Sequence, residues 1–517
     1  MKFLELLTGD AAGGTSTLEC VTNVYDPQGN PEIYGIEYDS RRIRPGYLFA
    51  AMHGERTDGN RYIDAAVENG AVAVVTDSGE ARARQGIAWA RVEDGRRALA
   101  VMSARFFDYP AQKLHLSGIT GTNGKTTTSY LLEAILNAAG HRSVLVGTIE
   151  YHVAGQVLEA PHTTPEALDL NRLFNKGVRE GATEAVMEVS SHALAQGRVY
   201  GMQYDVAVFT NLTRDHLDYH HNFEQYFAAK RRLFEGIGTP PPRAAIINAD
   251  DEWGQKLAEF ARTHGSEVLE YGVTRGSFRA LEVDLRPDGT TFDLLTPVGR
   301  IQLGSPLIGH VNVQNILAAA AAAYARGCSL QQIREGVLRL DRVPGRFERV
   351  DCGQPFTVVV DYAHTDDALK NLTRVAREFV NRGGAGRRVI TLFGCGGDRD
   401  RTKRPRMGLA AGKGSDFVVI TSDNPRSEDP MAIIEEARPG VEQSGVAFAV
   451  EPERRKAIAL AISEAREGDI VLLAGKGHEK VQVSRAGTIP FDDVEVARQA
   501  LQKAGYQGRP QLAEQRV

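Results

Sequence analysis

The chain has 517 residues, 42% hydrophobic and 25% charged, with 53 glycines and 21 prolines; this ordinary globular composition excludes collagen-like, disordered and disulfide-scaffold classes. Its length calls for roughly three domains. Lys plus Arg number 61 against 66 Asp plus Glu, a net charge of −5, which argues against a general binder of nucleic acid or anionic membrane but leaves room for a local basic pocket.

Cys20, Cys328, Cys352 and Cys395 are scattered without a CxxC pair, which fits a reducing cytoplasm. The opening MKFLELLTGDAAGG is too short an apolar run for an export signal. No apolar stretch is long enough for a membrane span, and NILAAAAAAYARG reads as a buried helix.

Up to about residue 110, YGIEYDSRRIRPGYLFAAM, IDAAVENG and AVAVVTDSG alternate strand, helix, strand. From Leu114, LHLSGIT is a strand and SYLLEAILNAAG a helix, and VLVGTIEY, EAVMEVS, VAVFTNL and AAIINAD are further strands with helices between. This βα alternation predicts a parallel sheet covered on both faces. Past Arg279 the pattern alternates around Asp288-Gly289 and predicts antiparallel hairpins at the sheet edge, followed by two helices, HVNVQNILAAAAAAYARG and SLQQIREGVLRL. From Pro344-Gly345, TVVVDYA, RRVITLFG, DFVVITSD and DIVLLAGKG are the strands of a second doubly wound sheet. The fold expected is α/β in three domains: a small N-terminal α/β unit (1–110), a central phosphate-loop unit with a parallel sheet (111–342) and a Rossmann-like C-terminal unit (343–517).

The sharpest motif is LSGITGTNGKTTT, an apolar strand entering a Gly-rich loop that ends in Gly124-Lys125-Thr126 and opens a helix. Backbone N–H groups and the helix N-terminus attract anionic oxygens, Lys125 neutralises β/γ-phosphate, and the Thr126 hydroxyl suits Mg²⁺. The strict phosphate-loop pattern fails by one position, with Ile119 where its first Gly belongs. Strand ends beside this loop carry Glu188, Ser190 and Ser191, then Arg214, Asp215, His216 and Asp218. Glu188 and His216 are candidate metal ligands, although taken singly each reads at least as readily as a cap or an ion-pair partner. Lys230, in the amphipathic YFAAKRRLFEGI, reads on its own as a solvated surface lysine.

In the third unit, Arg399, Arg401, Lys403, Arg404 and Arg406 follow one strand and call for an anion, carboxylate or phosphate. Two further loops, with Asp423, Asn424 and Arg426, and with Lys476, His478 and Glu479, add both signs of charge. Arginines for a carboxylate and an acid for an ammonium suit an amino-acid substrate.

GTNGKTTT, HTTP, MEVSSHAL, NLTRDHLDYH, AAKRRLF, GHVNVQN, GRFE, DYAHT, GCGGDRD, SDNPR and GKGHE occur in that order over nearly the whole chain, and with them the sequence resembles the Mur ligases. The resemblance implies a cytoplasmic ATP-dependent ligase of peptidoglycan precursor synthesis, with ATP, two Mg²⁺ ions and a carbamylated lysine. It implies UDP-substrate contacts at Ser40, Gly54, Glu55 and Arg56, and muramoyl-dipeptide contacts at Thr163, Thr164, Ser190, Gln196 and Arg198. The nucleotide would meet Gly121, Thr122, Asn123, Gly124, Lys125, Thr126 and Thr127, with Asn312, Asn315, Arg346 and Asp361 around adenine and ribose. Lys230 becomes the carbamylated residue, sharing metal with Thr126, Glu188 and His216; Lys125, Glu188, His216 and Lys230 form the catalytic set.

SDNPR resembles the diaminopimelate-adding branch, so Arg426 would grip the distal carboxylate, with Arg399, Asp423, Asn424, Pro425, Gly475 and Glu479 completing that site. UDP-N-acetylmuramoyl-L-alanyl-D-glutamate and meso-2,6-diaminopimelate are the implied substrates, and a monomer is the default. Asp366 stands where the family usually has Pro, and His221 where Gly is frequent. A lysine-adding ligase, a folylpolyglutamate-type ligase and a nucleotide-switch ATPase are the alternatives; SDNPR and YDSR argue against the first two, and a phosphate loop alone leaves the third open.

Overall fold

The structure is a computed structural model and describes residues 1–8, 10–11, 14–15, 21–25, 29–54, 57–286, 289–382 and 386–506. Glu184–Glu188, Val206–Phe209, Ala244–Asn248 and Ile470–Ala474 are buried at every position. Strands apolar on both faces need cover on both, and parallel sheets wrapped by helices supply it. The expected α/β class is what forms, with three main sheets.

The sheet nearest the N-terminus has five strands, in the order Val21–Tyr25, Ala88–Val92, Ala71–Thr76, Tyr47–Ala51, Gly35–Glu37, with only the first pair antiparallel. The helix Gly95–Phe106, which the sequence reading passes over, covers it: Asp94 accepts from the N–H groups of Arg96 and Arg97 at its start, and Ala98, Leu99 and Met102 turn inward.

The second sheet has eleven strands. Its centre is parallel, with His115–Thr120 between Glu184–Glu188 and Val206–Phe209. The hairpins expected beyond Arg279 form one edge as Phe278–Arg286, Gly289–Thr296 and Gly299–Ser305; Asp288 of the expected turn lies outside the described residues. The other edge corrects the sequence reading. VLVGTIEY is not one strand but two, Ser143–Val146 and Glu150–Val153, paired antiparallel. The chain breaks at Gly147-Thr148 to meet Glu188: a Cβ on Gly147 would lie 2.7 Å from Glu188 Oε1, and the Thr148 N–H donates to that oxygen at 2.8 Å.

The helix His310–Ala325 is apolar all round from Ile316 onward and lies against the helix Lys125–Ala138 and the strands Ala244–Asn248 and Glu267–Gly272. Ala318 to Ala323 are fully buried, as a helix without a polar face requires.

The third sheet has six strands in the order Glu348–Val350, Thr357–Asp361, Ile470–Ala474, Val389–Cys395, Phe417–Ser422, Ala447–Val450, only the first antiparallel. Their C-terminal ends gather the polar loops, as open α/β sheets do. Among the described residues no helix is long and apolar enough to cross a membrane.

Candidate active site

The strand His115–Thr120 ends in the loop 121–124, and the helix Lys125–Ala138 begins at once. Gly124 sits at φ 87°, and a Cβ there would come within 2.4 Å of Asn315 Oδ1; only glycine lets the loop lie this close to the neighbouring helix. Asn211 braces the loop, its carbonyl accepting from the Thr122 N–H and its Oδ1 from the Asn123 N–H at 2.9 Å. The first N–H groups of the helix point out of its end, where an anion fits.

Lys125 turns its ammonium back onto the carbonyls of Gly121 and Thr122, at 3.0 and 2.9 Å. Lys230 donates to the same Gly121 oxygen at 2.7 Å. The surface position expected of Lys230 is overturned: the residue is 1% exposed, with its nitrogen 4.4 Å from the centre of the Tyr226 ring. Burial, reinforced by the neighbouring Lys125 charge, pushes the Lys230 pKa well below the usual lysine range.

Glu188 ends its strand fully buried. Its carboxylate accepts from Thr126 Oγ1 at 3.0 Å, from the Thr148 N–H at 2.8 Å and from Thr148 Oγ1 at 3.0 Å. Thr148 escapes the sequence reading because it sits inside an apolar run; only the Gly147-Thr148 pair could have marked the break. Asp215 and His216 line the same cavity, with His216 at φ 53° and its N–H donating to Asp215 Oδ1 at 2.9 Å. Burial pushes the His216 pKa down and keeps the ring neutral, the form that binds a cation.

This cavity, about 310 Å³, is walled by the phosphate loop, Thr163, Glu188 and Ser190 on one side, by Asn312 and Asn315 from the helix His310–Ala325, and by Arg346 and Asp361 from the third unit. Arg346 reaches across to Thr126 Oγ1 at 3.3 Å and stacks 4.5 Å over the Tyr362 ring. Asp361 accepts from the Phe347 and Ala363 N–H groups at 2.7 and 2.8 Å, and burial lifts its pKa. Thr127 completes the loop wall. All four residues expected around adenine and ribose therefore line one cavity with the phosphate loop.

Thr164 is 1% exposed and braces the strand end, donating to the Glu188 carbonyl at 2.8 Å and accepting from the Ser190 N–H at 3.0 Å. Arg198 donates to the Thr164 carbonyl at 2.8 Å and to Gln196 Oε1 at 2.9 Å. Arg96, from the N-terminal unit, donates to the same Gln196 oxygen at 2.7 Å and to Glu166 at 3.2 Å. Sequence gives no sign of Arg96, which follows the helix cap and reads as a solvated residue. Ser40 is 8% exposed and begins a short 3-10 helix capped by Asp39. Gly54 donates its N–H to the Thr57 carbonyl at 3.0 Å, and Glu55 and Arg56 lie outside the described residues.

In the third unit the five-cation loop needs less external anion than expected. Arg404 is fully buried between Glu428 and Glu436, at 2.8 and 2.9 Å, and Arg401 pairs with Glu436; two of the cations are answered from within. Arg399 donates to the Asp398 carbonyl at 3.0 Å. Arg426 adopts φ 51° and donates to the Gly397 carbonyl at 2.8 Å, which carries its guanidinium over the arginine-loop side of the site. Pro425 and Asn424 precede it, with the Gly397 N–H donating to the Asn424 carbonyl at 2.9 Å. Asn424 Nδ2 donates to Glu479 Oε2 at 2.7 Å. A Cβ on Gly475 would lie 2.6 Å from Asp423 Oδ2. Arg399, Asp423, Asn424, Arg426, Gly475 and Glu479 thus come from three strand-end loops of one sheet.

Family models for the Mur ligase family catalytic domain, the Mur ligase middle domain and the Mur ligase glutamate ligase domain match residues 32–107, 119–323 and 345–477. The chain is 55% identical over 482 residues, 92% of its own length and 94% of the relative's, to the UDP-N-acetylmuramoyl-L-alanyl-D-glutamate--2,6-diaminopimelate ligase of Solibacter usitatus (strain Ellin6076). The chain belongs to the Mur ligase family. A Mur ligase of the same name from Geobacter metallireducens (strain ATCC 53774 / DSM 7210 / GS-15) is 46% identical over 498 residues, covering 92% of this chain and 96% of the relative. A solved structure of that name superposes with a TM-score of 0.64 at 35% identity, covering 92% of this chain and 96% of the other. The MurF ligase from Thermotoga maritima in complex with ADP, at 18% identity and a TM-score of 0.63 over 91% of this chain and 98% of the other, shares the fold. As a Mur ligase, the chain is an ATP-dependent ligase.

Proposed function

We propose that the chain adds meso-2,6-diaminopimelate to UDP-N-acetylmuramoyl-L-alanyl-D-glutamate with ATP, a cytoplasmic step of peptidoglycan precursor synthesis. It would act as a monomer, through units 1–110 for the UDP end, 111–342 for ATP and 343–517 for the amino acid. The observation that carries this reading is the Arg426, Asn424 and Glu479 cluster, built in the same unit that lends Arg346 and Asp361 to the phosphate-loop cavity.

The Thr126 hydroxyl and the buried Glu188 carboxylate, 3.0 Å apart beside the phosphate loop, are hard oxygen donors that fit Mg²⁺. Thr126 and Glu188 would hold one ion; Glu188, the neutral His216 and a carbamate on Lys230 would hold the second. Bound there, Mg²⁺ neutralises charge on the transferring phosphoryl group. Lys230 fits carbamylation because burial lowers its pKa and so favours the unprotonated amine, the form that adds to CO₂.

The γ-carboxylate of the D-glutamyl residue would attack the γ-phosphorus of ATP, forming an acyl phosphate and releasing ADP. The unprotonated amine of diaminopimelate then attacks the acyl carbon, its nitrogen gives up one proton as the amide bond forms, and phosphate leaves with the C–O electron pair and takes up that proton. Lys125 would swing from the loop carbonyls to the phosphates, where electrostatic stabilisation of the phosphoryl group contributes most. Thr163, Ser190, Gln196 and Arg198 would fix the dipeptide, and Asn312, Asn315, Arg346 and Asp361 the nucleoside.

The test is phosphate release with ATP, Mg²⁺ and the UDP-muramoyl dipeptide, adding either diaminopimelate or L-lysine. Release is expected with diaminopimelate only, and Arg426→Ala should lower kcat/KM for it about 100-fold, because the partly buried guanidinium that would grip the distal carboxylate is removed. Equal release with lysine, or release without an amino acid, contradicts the reading.

A further inference from the structure

The proposed amino-acid site is backed by a buried cation that the reading above leaves without a role. Lys476 is 0% exposed. Its ammonium donates to Asn424 Oδ1 at 3.1 Å and to Glu479 Oε2 at 2.9 Å.

These contacts specify the Asn424 amide completely. Its Oδ1 also accepts from the Val483 N–H at 2.9 Å, so both lone pairs are taken, while Nδ2 spends one hydrogen on Glu479 Oε2 at 2.7 Å and keeps one. Glu479 receives both donors on Oε2, and no donor among the described residues reaches Oε1. What the contacts among the described residues leave unused is therefore one amide N–H and one carboxylate oxygen. That pair complements the carboxylate and the ammonium of an α-amino acid centre. The frame is braced from outside: the hairpin strand Val481–Ser484 sends Gln482 Nε2 to the Asp423 carbonyl at 2.7 Å, and its Val483 carbonyl accepts from the Arg426 N–H at 3.0 Å.

We propose that Lys476 is a positioning residue for the incoming amino acid, locking the Asn424 amide in the orientation that donates and fixing Glu479 so that one oxygen stays free. The inference rests on the amino-acid site proposed above. Without the ammonium, the amide oxygen keeps only the Val483 N–H as donor, and the Glu479 carboxylate loses its buried counter-charge and swings. Binding of the amino acid then weakens, while the ATP site, formed by other residues, is untouched.

The experiment compares full-length parent, Lys476→Met and Lys476→Gln, measuring KM for diaminopimelate, KM for ATP, kcat and ATP binding. Lys476→Met should raise KM for diaminopimelate about tenfold or more, the worth of a charge-assisted hydrogen bond, with KM for ATP unchanged. Lys476→Gln, which keeps a donor but no charge, should recover part of that loss. An unchanged KM for diaminopimelate, a fall in kcat alone, or an equal rise in both KM values overturns the inference. Loss of ATP binding in both variants also overturns it, because Lys476 then serves the stability of the unit. An inactive parent would instead defeat the underlying ligase reading.

Discussion

His221 carries a local strain that its neighbours explain. It sits at φ 65° and ψ −45°, with the Asn222 N–H donating to the His220 carbonyl at 2.7 Å. This is a γ-turn with a positive-φ central residue, a strained conformation for any residue with a Cβ. Its side chain is exposed, so the ring returns little packing. His221→Gly should be about 1 kcal/mol more stable than His221→Ala, which keeps the strain and loses the same ring; denaturant titration of the two variants checks it. The resemblance to the Mur ligases, in which Gly is frequent at this place, hints at this strain. Lys230 gave the opposite lesson. Its surroundings in the chain are charged and amphipathic, and nothing local reports that Tyr226 and the phosphate loop close over it.

At the scale of elements, the strands and most helices could be read from sequence because apolar runs and 3.6-residue spacing are local properties. What could not be read was where one element yields to another. VLVGTIEY breaks because Glu188, forty residues away, needs Thr148. The same β-edge holds a titrating cluster. His152, on the strand Glu150–Val153, bonds Glu133 of the phosphate-loop helix at 2.7 Å and Glu150 at 3.0 Å, and Tyr130 donates to Glu150 at 2.9 Å. Burial works against its protonation, but Glu133 and then Glu150 outweigh that and raise its pKa from 6.5 to about 9. A raised histidine pKa gives stability that is full below pH 6.5 and is lost as pH rises through about 9. The unfolding free energy should drop by about 1–3 kcal/mol over that window, and His152→Gln should flatten the dependence; chemical denaturation at several pH values decides it.

The whole molecule is organised around loops that meet from different units. Asn123 of the phosphate loop donates to Asp367 Oδ2 at 3.0 Å, Arg214 to Thr402 Oγ1 at 3.1 Å, and Arg346 to Thr126. Each joins the ATP-side strand ends to the third unit. Asp367→Ala removes one such tie and should raise KM for ATP about tenfold with little change in thermal stability, measured by initial rates and calorimetry. The order of motifs along the chain signalled that these loops act together, but the ties themselves join residues hundreds of positions apart and had no sequence signal. The arginine loop shows the same limit: its charges were plain, and the internal Glu428 and Glu436 that answer Arg401 and Arg404 were not.

The run Ala318 to Ala323, fully buried, has a consequence at the level of the gene. A single-base change at the first or second position of an alanine codon yields Thr, Pro, Ser, Asp, Glu, Gly or Val. Each of these overfills the packing, buries a polar group, or breaks or loosens the helix. Changes at the third codon position are silent. Nucleotide variation in this stretch of the gene should therefore be confined to third bases, a tighter restriction than a leucine-lined helix, with its conservative one-base exchanges to Ile, Val or Met, would impose.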